Sequence, residues 1–420
     1  MGTIDKSSSC DVSSMKLLPL AQARRRIREL IERIEGDERI DLTLALGRIL
    51  SEDVISPINV PGHTNSALDG YAFHGADIPP HDSAELKVVG IAWAGGPHRQ
   101  DVARGEAVRI MTGAPMPPGT DTVVAQELVE TGEKIIRLGS NHRIGQNVRA
   151  AGEDLAKGDL ALPAGKRLLP AELGLLASLG LDNVTVVRKL KVALFSTGDE
   201  LRSAGEPIDD GSVYDSNRFT LMGMLTRLGA QVQDKGIIRD NRNAVRDAVL
   251  SASTEADVII TSGGVSTGEA DYVQEVLDEQ GHLGFWRVAI KPGRPLAFGR
   301  LGKALFFGLP GNPVAVMVTF YQLLHYALSR MMGESHPLLS PVVKVRCTTK
   351  LSKKSGRTEF YRAILETNDE GETTVRKTGR QGSGVLHSMS EANCFIILPD
   401  DCDTVHPGTL VDVQPFFGLV

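Results

Sequence analysis

Residues 257–271 read DVIITSGGVSTGEAD, and this stretch decides the fold. Asp257–Thr261 is an apolar run of the kind buried on both faces of a parallel sheet. It breaks at once into Ser262, Gly263 and Gly264, so a strand feeds directly into a glycine-rich loop. Glycines let backbone N–H groups turn inward and form a concave anion site. A plain βα turn is the alternative reading of the same residues. The loop is not a Walker A motif, because no Gly-Lys-Ser/Thr follows, and it lacks G-x-G-x-x-G. Outward from it, strands and helices alternate. Strand Lys191–Ser196, helix Ser216–Leu228, strand Gln231–Ile238 and helix Ala244–Ser253 lie before it. A helix over Tyr272–Glu279, a strand near Phe285–Ile290, strand Ala304–Phe307 and helix Val314–Met331 lie after it. This alternation predicts a doubly wound parallel α/β domain over 189–337.

The flanks differ in texture. Residues 1–14 are Ser-rich and read as disordered. Leu17–Ile34 has the spacing of an amphipathic helix, Leu42–Leu50 reads as a second short helix, and Pro170–Leu179 as a third. Together, 15–56 and 157–188 predict a helical linker domain. Between them, 57–156 alternates short β-rich runs with Gly/Pro turns, predicting an inserted β-rich domain. Residues 338–420 return to β patterning and predict a C-terminal β domain.

Composition narrows function. There are 46 Lys+Arg against 52 Asp+Glu, a net charge of −6, and aromatics are only 5%. A mildly acidic chain with few stacking residues is a poor nucleic-acid or membrane-surface binder. Cys10, Cys347, Cys394 and Cys402 form no C-x-x-C pair and have no His at zinc spacing, so they read as reduced thiols. The longest apolar stretch, Val314–Leu328, is interrupted by Thr319, Gln322 and His325 and does not predict a membrane span. With no apolar core in its first residues for a signal peptide, the chain is expected in the cytoplasm.

In an open α/β sheet, ligands bind beyond the carboxyl ends of the strands. Four such ends carry polar or glycine-rich segments here. One is Ser196-Thr197-Gly198-Asp199-Glu200, the next Arg239-Asp240. The third is Ser262-Gly263-Gly264 running on to Asp271, and the last is Gly308-Leu309-Pro310-Gly311-Asn312-Pro313 before a helix. In the last, Asn312 and Pro313 also suit a simple helix cap. Glu200, Asp240 and Asp271 each follow a different strand; beside anion loops, they would suit Mg²⁺, which takes few carboxylates plus substrate oxygens. Lys291-Pro292-Gly293-Arg294-Pro295 holds two cations on a stiff turn. Asp69 and Thr112 sit in turn-like segments of the β insertion, and Arg362 and Ser383 in the last domain.

The ordered segments NSALDGYA, RIMTGAP, GEDL, ALFSTGDEL, YDSNR, GIIRD, TSGGVSTGEADY, AIKPGRP and FGLPGNPVA closely resemble the molybdopterin molybdenumtransferase family, which includes bacterial MoeA and the gephyrin E domain. The resemblance runs from about residue 17 to the end. It implies insertion of molybdate into adenylated molybdopterin with Mg²⁺, release of AMP and formation of molybdenum cofactor. It implies an elongated homodimer whose cleft lies between the α/β and C-terminal domains of one subunit and the β insertion of the other. It implies work beside a molybdopterin adenylyltransferase and recipient molybdoenzymes. Motif by motif, Asp69, Thr112, Asp154, Glu200, Asp240, Asp271, Lys291, Arg362 and Ser383 match family positions. Asp240 and Asp271, with Glu200, are expected near Mg²⁺. Lys291 and Arg362 are expected on molybdate or phosphate oxygens. Ser196, Thr197, Ser262, Gly263, Gly264, Arg294, Pro310, Gly311, Asn312 and Ser383 are expected around the pterin or adenylate. Arg287 and Arg294 stand where bacterial members often carry Lys. Two other readings share these residues: a non-catalytic pterin-binding scaffold, and a tungstate-inserting paralogue.

Overall fold

The structure is a computed structural model describing residues 17–264, 282–337 and 341–416. The lead-in at 1–14, the helix expected over Tyr272–Glu279 and Asp271 lie outside these residues.

The N-terminal helix is shorter than its periodicity suggests. α1 (Leu20–Leu30) starts after Pro19, ends where Ile31 turns extended, and buries Ala23 and Ile27 one turn apart. β1 (Asp37–Asp41) follows. The expected helix over Leu42–Leu50 does not form. Leu42–Leu44 makes a single 3₁₀ turn capped by Asp41, whose carboxylate accepts from the Thr43 N–H. Gly47 then takes φ 77°, a left-handed conformation that ends any helix, and Ile49 and Leu50 bridge to Arg167 and Val186.

The inserted region builds one six-stranded sheet from β2 (Gly70–Phe73), β3 (Ser83–Ala92), β4 (Glu106–Ile110), β5 (Thr122–Ala125), β6 (Glu130–Thr131) and β7 (Ile135–Gly139). The order is β5-β2-β4-β3-β7-β6, with β3 and β4 parallel and the other neighbours antiparallel. Gly70 is required: a Cβ there would lie 1.9 Å from the Val124 carbonyl oxygen. The chain then returns through α2 (Pro170–Ser178) and β8 (Asn183–Val187), which pairs antiparallel with β1.

The α/β domain contains β9 (Lys191–Thr197), α3 (Ser216–Leu228), β10 (Gln231–Ile238), α4 (Arg242–Glu255), β11 (Val258–Ser262), β12 (His282–Arg287), β13 (Ile290–Lys291), β14 (Pro295–Leu301) and β15 (Ala304–Leu309). Its sheet runs β10-β9-β11-β15-β14-β12. Residues alternate between two cores along β9. Val192 and Leu194 meet Leu221 and Leu225 of α3 on one face. Ala193 and Phe195 meet Val245 and Val249 of α4 on the other. The sheet is thus doubly wound as expected. Only its first four strands make parallel pairs, however; β14 runs antiparallel to both its neighbours, β15 and β12. The two-residue turn Gly302-Lys303, with Gly302 at φ 57°, closes a hairpin and makes a crossover unnecessary. The long helix beyond is interrupted: α5 (Pro313–Thr319) and α6 (His325–Met331) are joined by a π-helical turn, Phe320–Leu324.

The C-terminal region uses β16 (Val343–Cys347), β17 (Thr358–Thr367), β18 (Thr373–Lys377), β19 (Cys394–Leu398) and β20 (Leu410–Pro415). Because β17 pairs with both β18 and β19, the ring β17-β18-β16-β20-β19 closes into a small barrel. β13 adds parallel to β17, placing Lys291 opposite Glu359. That pairing joins the α/β domain to the barrel.

Candidate active cleft

A cavity of about 650 Å³ opens between the carboxyl ends of β9, β11 and β15 and the barrel. Three walls meet there.

The acidic wall carries Glu200 and Asp240. Gly198 makes the fold-back of Glu200 possible: its φ is 149°, and a Cβ there would lie 2.5 Å from the Glu200 carboxylate. The Asp240 N–H donates to the Asp199 carboxylate at 3.2 Å, and Arg239 donates to the Asp199 carbonyl at 3.1 Å. Burial raises the Asp240 carboxyl above its ordinary range, and the like charges of Asp199 and Glu200 raise it further. Asp199 is therefore part of the site's electrostatics, although sequence reasoning attached no role to it.

The basic wall carries Lys291, Arg294 and Arg357. The Lys291 ammonium donates to both oxygens of Glu359 at 3.2 Å. Glu359 is 5% exposed and Lys291 50%, so the carboxylate anchors the cation from behind while its other face stays open to the cleft. Arg357 was missed in the sequence; the only signal is its place after Lys353, Lys354 and Gly356, in a loop that Lys353 holds by donating to the Cys402 carbonyl at 2.7 Å.

The floor is glycine backbone and amide. Gly263 and Gly264 take φ 91° and 65°, and a Cβ on Gly263 would lie 2.6 Å from the Thr197 carbonyl. Thr197 lines the cleft, and its Oγ1 is buried without a partner among the described residues. Asn312 holds the N-cap position of α5, yet its side chain makes no cap bond, so the carboxamide is left to the cleft it lines together with Pro310 and Gly311. The first amide of that helix is satisfied instead by the barrel, Val314 N–H donating to the Ser383 carbonyl at 3.0 Å.

Several expected contacts prove to be supports. Ser196 and Ser262 are buried and do not line the cavity. Ser196 donates to Asp215, and Ser262 accepts from the Asn217 carboxamide at 2.8 Å. Asn217 also donates to the Gly311 carbonyl at 2.7 Å, clamping the two glycine loops. Arg362 is corrected in the same sense. It is 1% exposed, its guanidinium donates to Ser388 Oγ at 3.0 Å and the Gly382 carbonyl at 2.9 Å, and burial pulls its pKa down to about 10. It braces the loop that presents Gln381, Gly382 and Ser383 to the cleft and does not reach the cavity itself.

Asp69 and Thr112 are not lining residues of this cleft within one chain. They pair with each other at the edge of the β insertion. Thr112 donates through both its N–H and its hydroxyl to Asp69 at 2.7 Å, which holds the Asp69 carboxyl below its usual range. Asp154 lines a separate hollow with Arg149 and Glu153.

No group of three His, Cys, Asp or Glu among the described residues converges as a metal cage. Glu200 and Asp240 are hard oxygen donors facing one cavity with strained, like-charged electrostatics. That donor set fits Mg²⁺, which keeps several waters and needs only one or two carboxylates beside phosphate oxygens. No described helix is long and apolar enough to cross a membrane.

Three family descriptions match in chain order: the MoeA N-terminal region (domain I and II) over 18–180, a probable molybdopterin binding domain over 193–330, and the MoeA C-terminal region (domain IV) over 344–416. A molybdopterin molybdenumtransferase of Haemophilus influenzae is 43% identical over 405 residues, spanning 96% of this chain and 100% of the relative. One from Nostoc is 34% identical, spanning 87% and 85%. Gephyrin of Dictyostelium discoideum is 32% identical over 95% of this chain and 62% of its own length. The solved molybdopterin biosynthesis moeA protein of Pyrococcus horikoshii superposes with a TM-score of 0.83 at 28% identity, covering 95% of this chain and all of that one. With a 43% identical relative matched along its whole length and all three MoeA regions present in order, the chain belongs to the MoeA family of molybdopterin molybdenumtransferases.

Proposed function

We propose that the chain inserts molybdate into adenylated molybdopterin, releasing AMP and forming molybdenum cofactor. The observation that carries this reading is the single cleft in which Glu200 and Asp240 face Lys291, Arg294 and Arg357 above a glycine floor. A polyanion with a phosphoanhydride needs that arrangement: cations and backbone amides for its oxygens, and acids for a bridging metal.

In this reading Lys291, Arg294 and Arg357 bind molybdate and phosphate oxygens. Lys291 is kept pointing at them by Glu359. The planar Arg forks set oxyanion orientation where a Lys would give only a point charge. Gly263, Gly264, Gly311 and Asn312 bind the pterin phosphate or the adenylate, and Thr197 Oγ1, without a partner among the described residues, supplies a hydroxyl to the ligand. Ser383 and Gln381 close the site from the barrel. Asp240 and Glu200, with Asp271, would hold Mg²⁺, which neutralises phosphate oxygens when bound. Molybdenum takes the two dithiolene sulfurs and gives up one oxygen, which leaves as water with the two thiol protons, and a water cleaves the phosphoanhydride to AMP and the molybdopterin phosphate; positioning and charge stabilisation carry most of the rate.

The proposal includes a homodimer in which Asp69 and Thr112 of one subunit face the cleft of the other, cytoplasmic residence, receipt of substrate from a molybdopterin adenylyltransferase and delivery to recipient molybdoenzymes. The test is AMP release from adenylated molybdopterin by the purified chain. Release dependent on both molybdate and Mg²⁺ supports the assignment; release indifferent to molybdate overturns it. Tungstate competing in the same assay decides between the two oxyanions.

A further inference from the structure

The edge of the inserted sheet carries more than the Asp69–Thr112 pair. Gly70, Ile110 and Ala92 form one row across β2, β4 and β3. The next row outward is Asp69, Met111 and Trp93, with the Met111 N–H donating to the Ala92 carbonyl at 3.1 Å. Neighbouring strands lie about 4.8 Å apart, so the backbones of Asp69 and Trp93 are separated by about 10 Å at the same sheet edge. Trp93 is locked in a tight turn, exchanging both backbone hydrogen bonds with Gly96, and its indole edge lies over that glycine, with Cδ1 3.8 Å from where a Cβ would stand. Its remaining surface is open: Trp93 is 56% exposed, and Ile91, two residues back on the same face, is 44% exposed. Between Ile91 and Tyr71 in the register stands exposed Arg109, whose charge also helps keep Asp69 ionised.

An exposed indole on a backbone fixed by two hydrogen bonds, beside an aliphatic side chain and about 10 Å from a carboxylate held in its charged form, has a specific chemistry. The aromatic face stacks on a flat heterocycle. Both Thr112 bonds fall on Oδ1, so the other carboxylate oxygen, Oδ2, is left to accept from a planar donor edge. A 2-amino-4-oxopteridine offers such an edge, its ring N3–H and exocyclic 2-amino N–H side by side and either able to reach Oδ2, whereas adenine sets a donor beside an acceptor that the carboxylate repels. We infer that Asp69 and Trp93 form a pterin-binding subsite, the carboxylate taking the donor edge of the ring and the indole its face. This rests on the proposed substrate and deepens it: the cleft would take the phosphates and the oxyanion, and this sheet edge would take the ring.

The chain has only two tryptophans, and Trp286 packs against Phe298 at 5.4 Å in the α/β domain. Two indole N–H signals in a nitrogen–proton correlation spectrum of the full chain, assigned with Trp286→Phe, therefore report the subsite directly. Titration with pterin itself should shift the Trp93 signal and leave Trp286 in place, while AMP should move neither. Asp69→Asn should weaken pterin binding about tenfold, the size of one lost charge-assisted contact. In the AMP-release assay, Trp93→Ala should raise KM for adenylated molybdopterin about tenfold with the molybdate KM unchanged, and Trp93→Phe should restore it. An unmoved Trp93 signal, a shift caused by AMP instead of pterin, or full affinity in Asp69→Asn would each overturn the subsite. Failure of the wild-type chain to release AMP at all would instead remove the proposed reaction.

Discussion

Replacing Arg362 with Met separates two roles for one residue. If Arg362 held oxyanions, the substitution would abolish activity and leave the fold alone. The structure makes it an internal brace, so Arg362→Met should loosen the barrel first. Its guanidinium makes two good hydrogen bonds, 3.0 Å to Ser388 Oγ and 2.9 Å to the Gly382 carbonyl, and a long one of 3.4 Å to the Arg380 carbonyl. Bonds from a charged donor contribute about 1.5–3 kcal/mol each. Methionine fills most of the space and removes the cost of burying an uncompensated cation, which offsets part of the loss. The net destabilisation should be about 2–4 kcal/mol, local to 378–390. Local opening free energy is read by amide hydrogen exchange. Protection of that segment should fall about 30- to 700-fold, at tenfold per 1.4 kcal/mol, while β9 and β11 keep theirs. Turnover should fall as well, because Gln381 and Ser383 ride on the loosened loop. Arg362→Lys, which can satisfy one acceptor and not both, should lie between. Lost turnover with unchanged protection would refute the brace and return Arg362 to the substrate.

Three further outcomes follow from the cleft. Asp240→Asn should stabilise the metal-free protein while lowering turnover. The folded carboxyl is raised, chiefly by burial, so its contribution is fully present below about pH 4 and lost as pH rises through the raised value; the variant should therefore melt higher than wild type at pH 7 and alike at pH 3, and should lose the Mg²⁺-dependent rise in melting temperature. Lys291→Ala should cost about 1–3 kcal/mol by leaving buried Glu359 unpaired; adding Glu359→Gln should recover stability in urea melts without recovering activity, and a double variant as unstable as the single one contradicts the pairing. In the proposed homodimer, mixing Asp69→Asn with Lys291→Ala subunits should restore about a quarter of wild-type activity, since half the dimers would be mixed and each would hold one intact composite site; an inactive mixture rules out a cleft shared between subunits.

Alternating strands and helices from 191 to 331, and glycine-rich strand ends at 196–200, 262–264 and 308–313, were legible because buried parallel strands and βα turns leave local composition signatures. Meeting of Glu200 and Asp240 in one place was inferable because such strand ends share one edge of a sheet; Lys291 joins them from a strand paired with the barrel. Tertiary structure alone decided the rest. Whether a polar residue faces the cavity or the wall behind it depends on partners far outside its own motif: Ser196 bonds Asp215, 19 residues on, Ser262 bonds Asn217, 45 residues back, and Arg362 bonds Ser388, 26 residues on, so all three read as ligand contacts and sit in the structure as supports. The antiparallel β14 was hidden between two Pro/Gly turns, and the helix expected at 42–50 gave way to a left-handed Gly47 and long-range bridges. Arg357 and Glu359 entered the site only because β17 pairs with β13, a contact between residues 68 apart along the chain that no local pattern encodes.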